Sequence, residues 1–241
     1  MKKSKKILLS LLITILVIVG GSLVYVKQAT YQPTETAEKS AASAKENNDA
    51  LYFPPASTSE KPMILFYSGA LVTEKSYSIW AEQLAQAGYP VYLLQLPMHL
   101  AIFSPNAAKK IVEKNPSQDY IIGGHSLGGV MASRFAAQTS DSQLKGIFYL
   151  ASYPDEKGSL ADKNLSALSV TATNDEVLNQ KTWQESQKFL PADTTLIEIR
   201  GGNHAGFGSY GKQKGDGTAA ISNNQQQEML TDILTTWLEK F

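Results

Sequence analysis

From Met63 onward the sequence carries six short runs that are apolar almost throughout: Met63 to Tyr67, Val91 to Leu96, Tyr120 to Gly123, Gly146 to Ala151, Leu168 to Thr173 and Leu196 to Arg200. A strand with one face in water alternates polar and apolar residues, so runs of this kind predict strands covered on both faces. The stretches between them have helical spacing. Tyr77 to Ala87 places Ile79, Trp80, Leu84 and Ala87 on one side and is followed by Gly88, a residue suited to ending a helix. This alternation predicts the α/β class, with a mostly parallel central sheet flanked by helices. A last helix is marked by the S-x-x-Q capping box of Ser222 and Gln225, followed by an apolar face of Met229, Leu230, Ile233, Leu234, Trp237 and Leu238 that should close the fold. With 43% hydrophobic residues in a chain of 241, there is enough apolar surface for one core of ordinary domain size.

The amino terminus follows a different pattern. Lys2, Lys3, Lys5 and Lys6 precede an uncharged run from Ile7 to Val26, which as a helix would be about 30 Å long, the thickness of a bilayer's hydrocarbon core. Ser10, Thr14 and Ser22 interrupt it without making a polar stripe. Four lysines before the run and Lys27 alone directly after it favour an amino terminus kept in the cytoplasm. Residues 1–27 are therefore expected to be a single-pass membrane anchor, with the rest of the chain on the extracytoplasmic side. A cleavable signal peptide is the alternative, although the nearby A-x-A tripeptide, Ala42-Ser43-Ala44, lies well past the apolar run. Residues 28–60 are rich in Ala, Ser, Thr, Glu, Lys, Asn and Pro, which predicts a flexible linker and leaves 61–241 as the folded domain.

Lys plus Arg and Asp plus Glu are equal at 22 each, so the overall balance offers no reason to expect a nucleic-acid or polyanionic partner. The absence of cysteine removes disulfides, thiolate metal sites and a cysteine nucleophile together.

Within Tyr120-Ile-Ile-Gly-Gly-His-Ser-Leu-Gly-Gly129 lies G-x-S-x-G, as Gly124-His125-Ser126-Leu127-Gly128. It follows an expected strand and precedes an expected helix, Val130 to Gln138. In that context the serine sits on a tight turn that lifts its Oγ above the sheet edge as a nucleophile. The plainer reading is a glycine-rich turn capping a helix. A serine hydroxyl needs a base, and the order for such a site is serine, acid, histidine. Of His99, His125 and His204, only His204 lies after both Ser126 and a plausible acid, which makes it the candidate base. His125 is the variable residue of the motif and reads as structural. Asp175, directly after the Leu168 to Thr173 run, is the candidate acid. Glu176 and Asp155 are the alternatives, and helix capping is the plainer role for Asp175. The amide of Leu127 and one from the Ser68-Gly69-Ala70-Leu71 turn, Ala70 ahead of Leu71, are the candidate oxyanion donors.

With Ser126, Asp175, His204 and the Ser68-Gly-Ala turn in this order, residues 62–241 resemble the α/β-hydrolase superfamily, closest to its small bacterial serine hydrolases related to dienelactone hydrolases. Gly201-Gly-Asn-His-Ala-Gly-Phe-Gly-Ser-Tyr-Gly211, followed by Gly215-Asp-Gly217, resembles the glycine-rich histidine loop of that group. Dienelactone hydrolases proper use a cysteine and this chain has none, so their substrate is not implied. The resemblance implies an α/β-hydrolase fold and a serine esterase-like activity on a small-molecule acyl substrate. No metal or organic cofactor is implied, and no dinucleotide or P-loop motif is present. Pro97 to Pro116 is the longest candidate for a lid. It is short and apolar, with Met98, Leu100, Ile102 and Phe103, so a small or absent lid is expected, with Met98, His99 and Phe103 lining an open acyl pocket. For His99 a plain surface position is an equal alternative. An acyltransferase on the same residues and an inert surface binding module are the competing functional readings.

Overall fold

The computed structural model describes residues 2–241, apart from the side chains at 2–7, 10, 16, 18, 19, 22 and 23. The chain divides into two compact units, one ending at Thr30 and the other beginning at Tyr31.

The first unit is helix α1, Lys2–Ala29. Leu8, Leu9, Leu11, Leu12, Ile13, Ile15, Val17 and Val24 on it are exposed. Among the described residues no helix is long and apolar enough to cross a membrane. The expected span from Ile7 to Val26 falls partly outside the described residues, at positions 7, 10, 16, 18, 19, 22 and 23.

The second unit is an eight-stranded sheet with helices on both faces. Its strands are β1 (Lys45–Glu46), β2 (Ala50–Phe53), β3 (Met63–Tyr67), β4 (Val91–Leu94), β5 (Tyr120–His125), β6 (Leu144–Leu150), β7 (Ser166–Ala172) and β8 (Asp193–Ile199), in the spatial order β1-β2-β4-β3-β5-β6-β7-β8. All pairings from β4 through β8 are parallel, whereas β1 and β2 add an antiparallel edge. The helices are α2 (Glu35–Ala41), α3 (Ser78–Gln86), α4 (Ala107–Lys114), α5 (Leu127–Gln138), α6 (Gln180–Ser186) and α7 (Asn223–Leu238). Period-two alternation along β3 divides the core. Ile64 and Phe66 pack with Trp80 and Leu84 of α3 and with Leu234 and Trp237 of α7. Met63, Leu65 and Tyr67 point the other way, to Ile111 of α4 and to Met131 and Phe135 of α5. Burial on both faces is why β3 and β5 are apolar at nearly every position.

The expected linker over residues 28–60 is corrected by this structure, which is ordered from Tyr31 onward. Tyr31 N–H donates to Leu71 O at 2.7 Å, and Thr34 N–H to Ser209 O at 2.8 Å. The Thr34 side chain caps α2, whose Ala37 and Ala41 are buried. Strand β2 pairs antiparallel with β4, from Ala50 opposite Leu94 to Phe53 opposite Val91. Small residues and three apolar ones achieve this inside a polar segment, with Leu51 and Phe53 buried on one face of β2 and Ala50 on the other. The domain therefore begins about thirty residues before the expected boundary at 61. Phe53 is buried in the core, so Phe53→Ala should lower stability by about 3–5 kcal/mol in urea unfolding. A fragment starting at Tyr31 should unfold cooperatively, and one starting at Lys61 should not.

Candidate active site

Strand β5 leads into α5 through Ser126, whose backbone has φ 51° and ψ −124°. For a residue with a side chain such a conformation costs about 1–3 kcal/mol and persists only where the surroundings impose it. Here they do. Ser126 N–H donates to Leu150 O at 3.0 Å, and Ser126 O accepts from Gly129 N–H at 3.1 Å and from Ser152 Oγ at 2.5 Å. The flanking glycines allow the close approach. A Cβ on Gly124 would overlap the backbone of Gly128 and Gly129, and one on Gly128 would overlap the carbonyls of Tyr67 and Ser68.

His204 follows β8 in a loop, and its Nδ1 lies 2.9 Å from Asp175 Oδ2. Both residues are buried. Asp175 also fills the plainer role, because its Oδ1 accepts Val177 N–H at 2.9 Å and Leu178 N–H at 2.8 Å. With both carboxylate oxygens acting as acceptors, His204 donates from Nδ1, leaving Nε2 as the acceptor nitrogen. Glu176 is exposed. Asp155 is occupied elsewhere, since it accepts from Arg134 Nε at 3.0 Å and from Gly158 N–H at 2.9 Å. Burial opposes its charge, but the Arg134 hydrogen bonds and charge outweigh that and hold its carboxyl below the usual range.

Ser126 and His204 line one cavity of about 240 Å³ together with Leu127, Val130, Ala151, Ser152, Tyr153, Val177, Leu178 and Asn179. Met98, His99 and Phe103, expected as substrate contacts, do not line it, and this corrects that expectation. They lie on 3-10 turns after β4, with Met98 and Phe103 exposed and His99 Nδ1 3.6 Å from Glu74 Oε2. The actual walls come from residues just past the ends of β6 and β7 and from the first turns of α5. Position after a strand end was the signal that could have found Tyr153 and Asn179.

The amides of the turn after β3 sort themselves by partner. Gly69 N–H donates to Tyr77 Oη at 3.0 Å, Leu71 N–H to His99 O at 2.8 Å and Val72 N–H to Gly69 O at 3.2 Å. Among the described residues Ala70 N–H has no such partner, which favours Ala70 over Leu71 as an oxyanion donor.

The histidine loop is held by polar groups that sequence reasoning missed. Gln226 of α7, 1% exposed, accepts Asn203 N–H at 3.0 Å and donates to Asn203 O at 2.8 Å. Its amide occupies the space that a Cβ on Gly206 would need. Asp216 receives the backbone N–H of His204 at 3.2 Å and of Ala205 at 2.8 Å. A run of six polar residues, Asn223 to Glu228, opening a helix looks like a solvated face, and only its spacing from the histidine loop hints otherwise.

A mostly parallel sheet whose central strand turns through a strained serine into a helix, with a buried Asp-His pair beyond the carboxyl ends of β7 and β8, defines an α/β hydrolase. Residues 63–228 match the model of the alpha/beta hydrolase family, and the chain belongs to that family. Its fold is similar to that of an alpha/beta hydrolase enzyme from the sediment metagenome of the Mar Chica lagoon, Morocco, at 15% identity over 82% of this chain and 98% of that one, with a TM-score of 0.60. The dienelactone hydrolase of Anabaena variabilis is similar at 14% identity over 79% and 90%, with a TM-score of 0.57. A soluble variant of the Saccharomyces cerevisiae monoglyceride lipase, solved with a substrate analog, is similar at 12% identity over 82% and 94%, with a TM-score of 0.58. At these identities the likeness is one of fold. No curated relative matches this chain.

Two outcomes follow from this geometry. Asp216→Ala leaves three backbone N–H groups, those of His204, Ala205 and Gly217, without their acceptor and should lower stability by about 1–3 kcal/mol, read from the urea midpoint. His125 is buried, and its pKa is pushed well below the ordinary value, first by desolvation and then by the neighbouring His204. The unfolded chain takes up a proton at about pH 6.5 and the folded state resists it. Stability should therefore fall as pH drops below that value, by up to about 1.4 kcal/mol per unit. The fall between about pH 7 and about pH 5 should be smaller in His125→Asn.

Proposed function

We propose that this protein is a serine hydrolase that cleaves a carboxylic ester or related acyl bond through an acyl-enzyme. The buried Asp175–His204 hydrogen bond beside a cavity shared with Ser126 carries the reading. In the proposed step His204 Nε2 takes the Ser126 hydroxyl proton while Oγ attacks the substrate carbonyl carbon. Asp175 orients the imidazole and stabilises its cation, and the amides of Leu127 and Ala70 hold the oxyanion. The intermediate collapses as His204 returns the proton to the leaving alcohol. Water then repeats the sequence and frees the acid. The cavity is small and its walls are largely apolar, with Val130, Ala151, Val177 and Leu178, which favours a short uncharged acyl group.

A fluorophosphonate probe should label the domain from Tyr31 to Phe241, and Ser126→Ala and His204→Ala should abolish labelling. Asp175→Asn should slow ester hydrolysis by about 10⁴-fold. A well-folded wild type that resists the probe would point instead to a binding module. Transfer to an added alcohol, seen in the products, would identify an acyltransferase.

We also propose that α1 anchors the chain in the membrane with the hydrolase domain outside. The lysine-flanked apolar run and the exposed leucines of α1 support this reading. Full-length protein should remain in the membrane fraction after carbonate washing, whereas the fragment from Tyr31 should be released.

A further inference from the structure

Behind the Ser126–His204 pair lies a second polar pair that the acyl-transfer chemistry leaves unused. Tyr77, fully buried, precedes α3 and stands between the turn after β3 and the end of β5. Its hydroxyl oxygen accepts Gly69 N–H at 3.0 Å and lies 2.9 Å from His125 Nδ1. An amide N–H can only donate, so the phenol accepts from Gly69; among the described residues Nδ1 is the one acceptor within reach of the phenol's own hydrogen, which therefore goes there. His125 therefore accepts at Nδ1 and carries its hydrogen on Nε2. Among the described residues that second nitrogen is buried and makes no hydrogen bond of ordinary geometry, while the His204 backbone lies close enough to the ring to favour a hydrogen on it. The His125 ring lies 4.4 Å from the His204 ring, centroid to centroid. On the other side the Gly69 backbone rests directly on the pair, since a Cβ there would sit 2.8 Å from His125 Nδ1 and 3.1 Å from Tyr77 Oη. One hydroxyl thus ties the turn that presents Ala70 N–H to the ring that backs His204.

We propose that Tyr77 and His125 are positioning residues for the acyl-transfer step: the Tyr77 hydroxyl fixes the Ser68–Gly69 peptide, and so the direction of the next unit, which carries Ala70 N–H to the oxyanion, and it locks His125 as a wall against the His204 imidazole. The inference rests on the serine-hydrolase reading. Its physical need is clear on both sides. A donor amide stabilises developing charge only if it is aimed before the charge appears. His204 becomes a cation when it takes the serine proton, and a second imidazole in contact with it must neither accept that proton nor add a charge. An acceptor role at Nδ1, secured by the phenol, and a buried site meet that condition.

Removal of one hydroxyl tests the idea. Tyr77→Phe keeps the ring and the packing but orphans Gly69 N–H and frees His125 Nδ1. The rate of Ser126 phosphonylation by a fluorophosphonate, and kcat for p-nitrophenyl acetate, should each fall by about 10-fold or more with KM within about 3-fold. In His125→Asn the amide oxygen can stand where Nδ1 stood and accept from Tyr77, so that variant should keep at least about a third of the wild-type rates. His125→Gln places its amide near Nε2 instead and should fall as far as Tyr77→Phe, with no further loss in the double variant. Wild-type kcat in Tyr77→Phe, or equal rates in His125→Asn and His125→Gln, would overturn the proposal while leaving the hydrolase reading intact. A wild type inert to the probe would remove both. Should Tyr77→Phe fail to fold, the comparison of the two His125 variants decides the matter alone.

Discussion

The site depends on how closely α5 packs against the ends of β3 and β5. At Gly124 and Gly128 the backbones of the turn, the helix and the neighbouring strand come so near that no side chain fits between them. That proximity lets three hydrogen bonds hold Ser126 at positive φ, through Leu150, Gly129 and Ser152. The energy to sustain the strained turn comes from the apolar strands on either side, since β3, β5 and most of β6 are buried on both faces. Strain recurs around the same rim. Ala151, which lines the cavity, and Leu71, in the turn that carries Ala70, also have positive φ.

Polar groups do the rest of the positioning, and they do it from behind. Asp175 divides its two oxygens between the backbone ahead of α6 and the His204 ring. Asp216 and Gln226 hold the backbone on either side of His204. The last helix thus has two jobs along its length. Its amino-terminal glutamines brace the histidine loop, and its later residues, Leu230, Leu234 and Trp237, complete the core. A loop made largely of glycine and small residues has little rigidity of its own, so its order is supplied by these buried hydrogen bonds.

How far the molecule was legible varied with the range of the interactions involved. The strand Met63–Tyr67 matches its expected span, and the capping box at Ser222 and Gln225 is present, because apolar period and local capping are set by neighbours in sequence. Strand β2 was hidden because four useful residues, Ala50 to Phe53, sit in a segment whose average composition is polar. Met98 and Phe103 misled because an exposed apolar turn and a pocket wall have the same composition.

The order of Ser126, Asp175 and His204, the turn chemistry around the serine and the parallel α/β plan were all determined by the sequence itself, since each rests on residue type and spacing along the chain. Tertiary structure alone decided which amide of the Gly69–Val72 turn stays unpaired, which residues wall the cavity, and that Tyr77, His125 and Gln226 would be buried with their polar ends engaged. Those outcomes depend on partners between 8 and 48 positions away. Such groups meet only because the sheet brings the ends of its strands to one edge, and no local pattern records which of them will face each other.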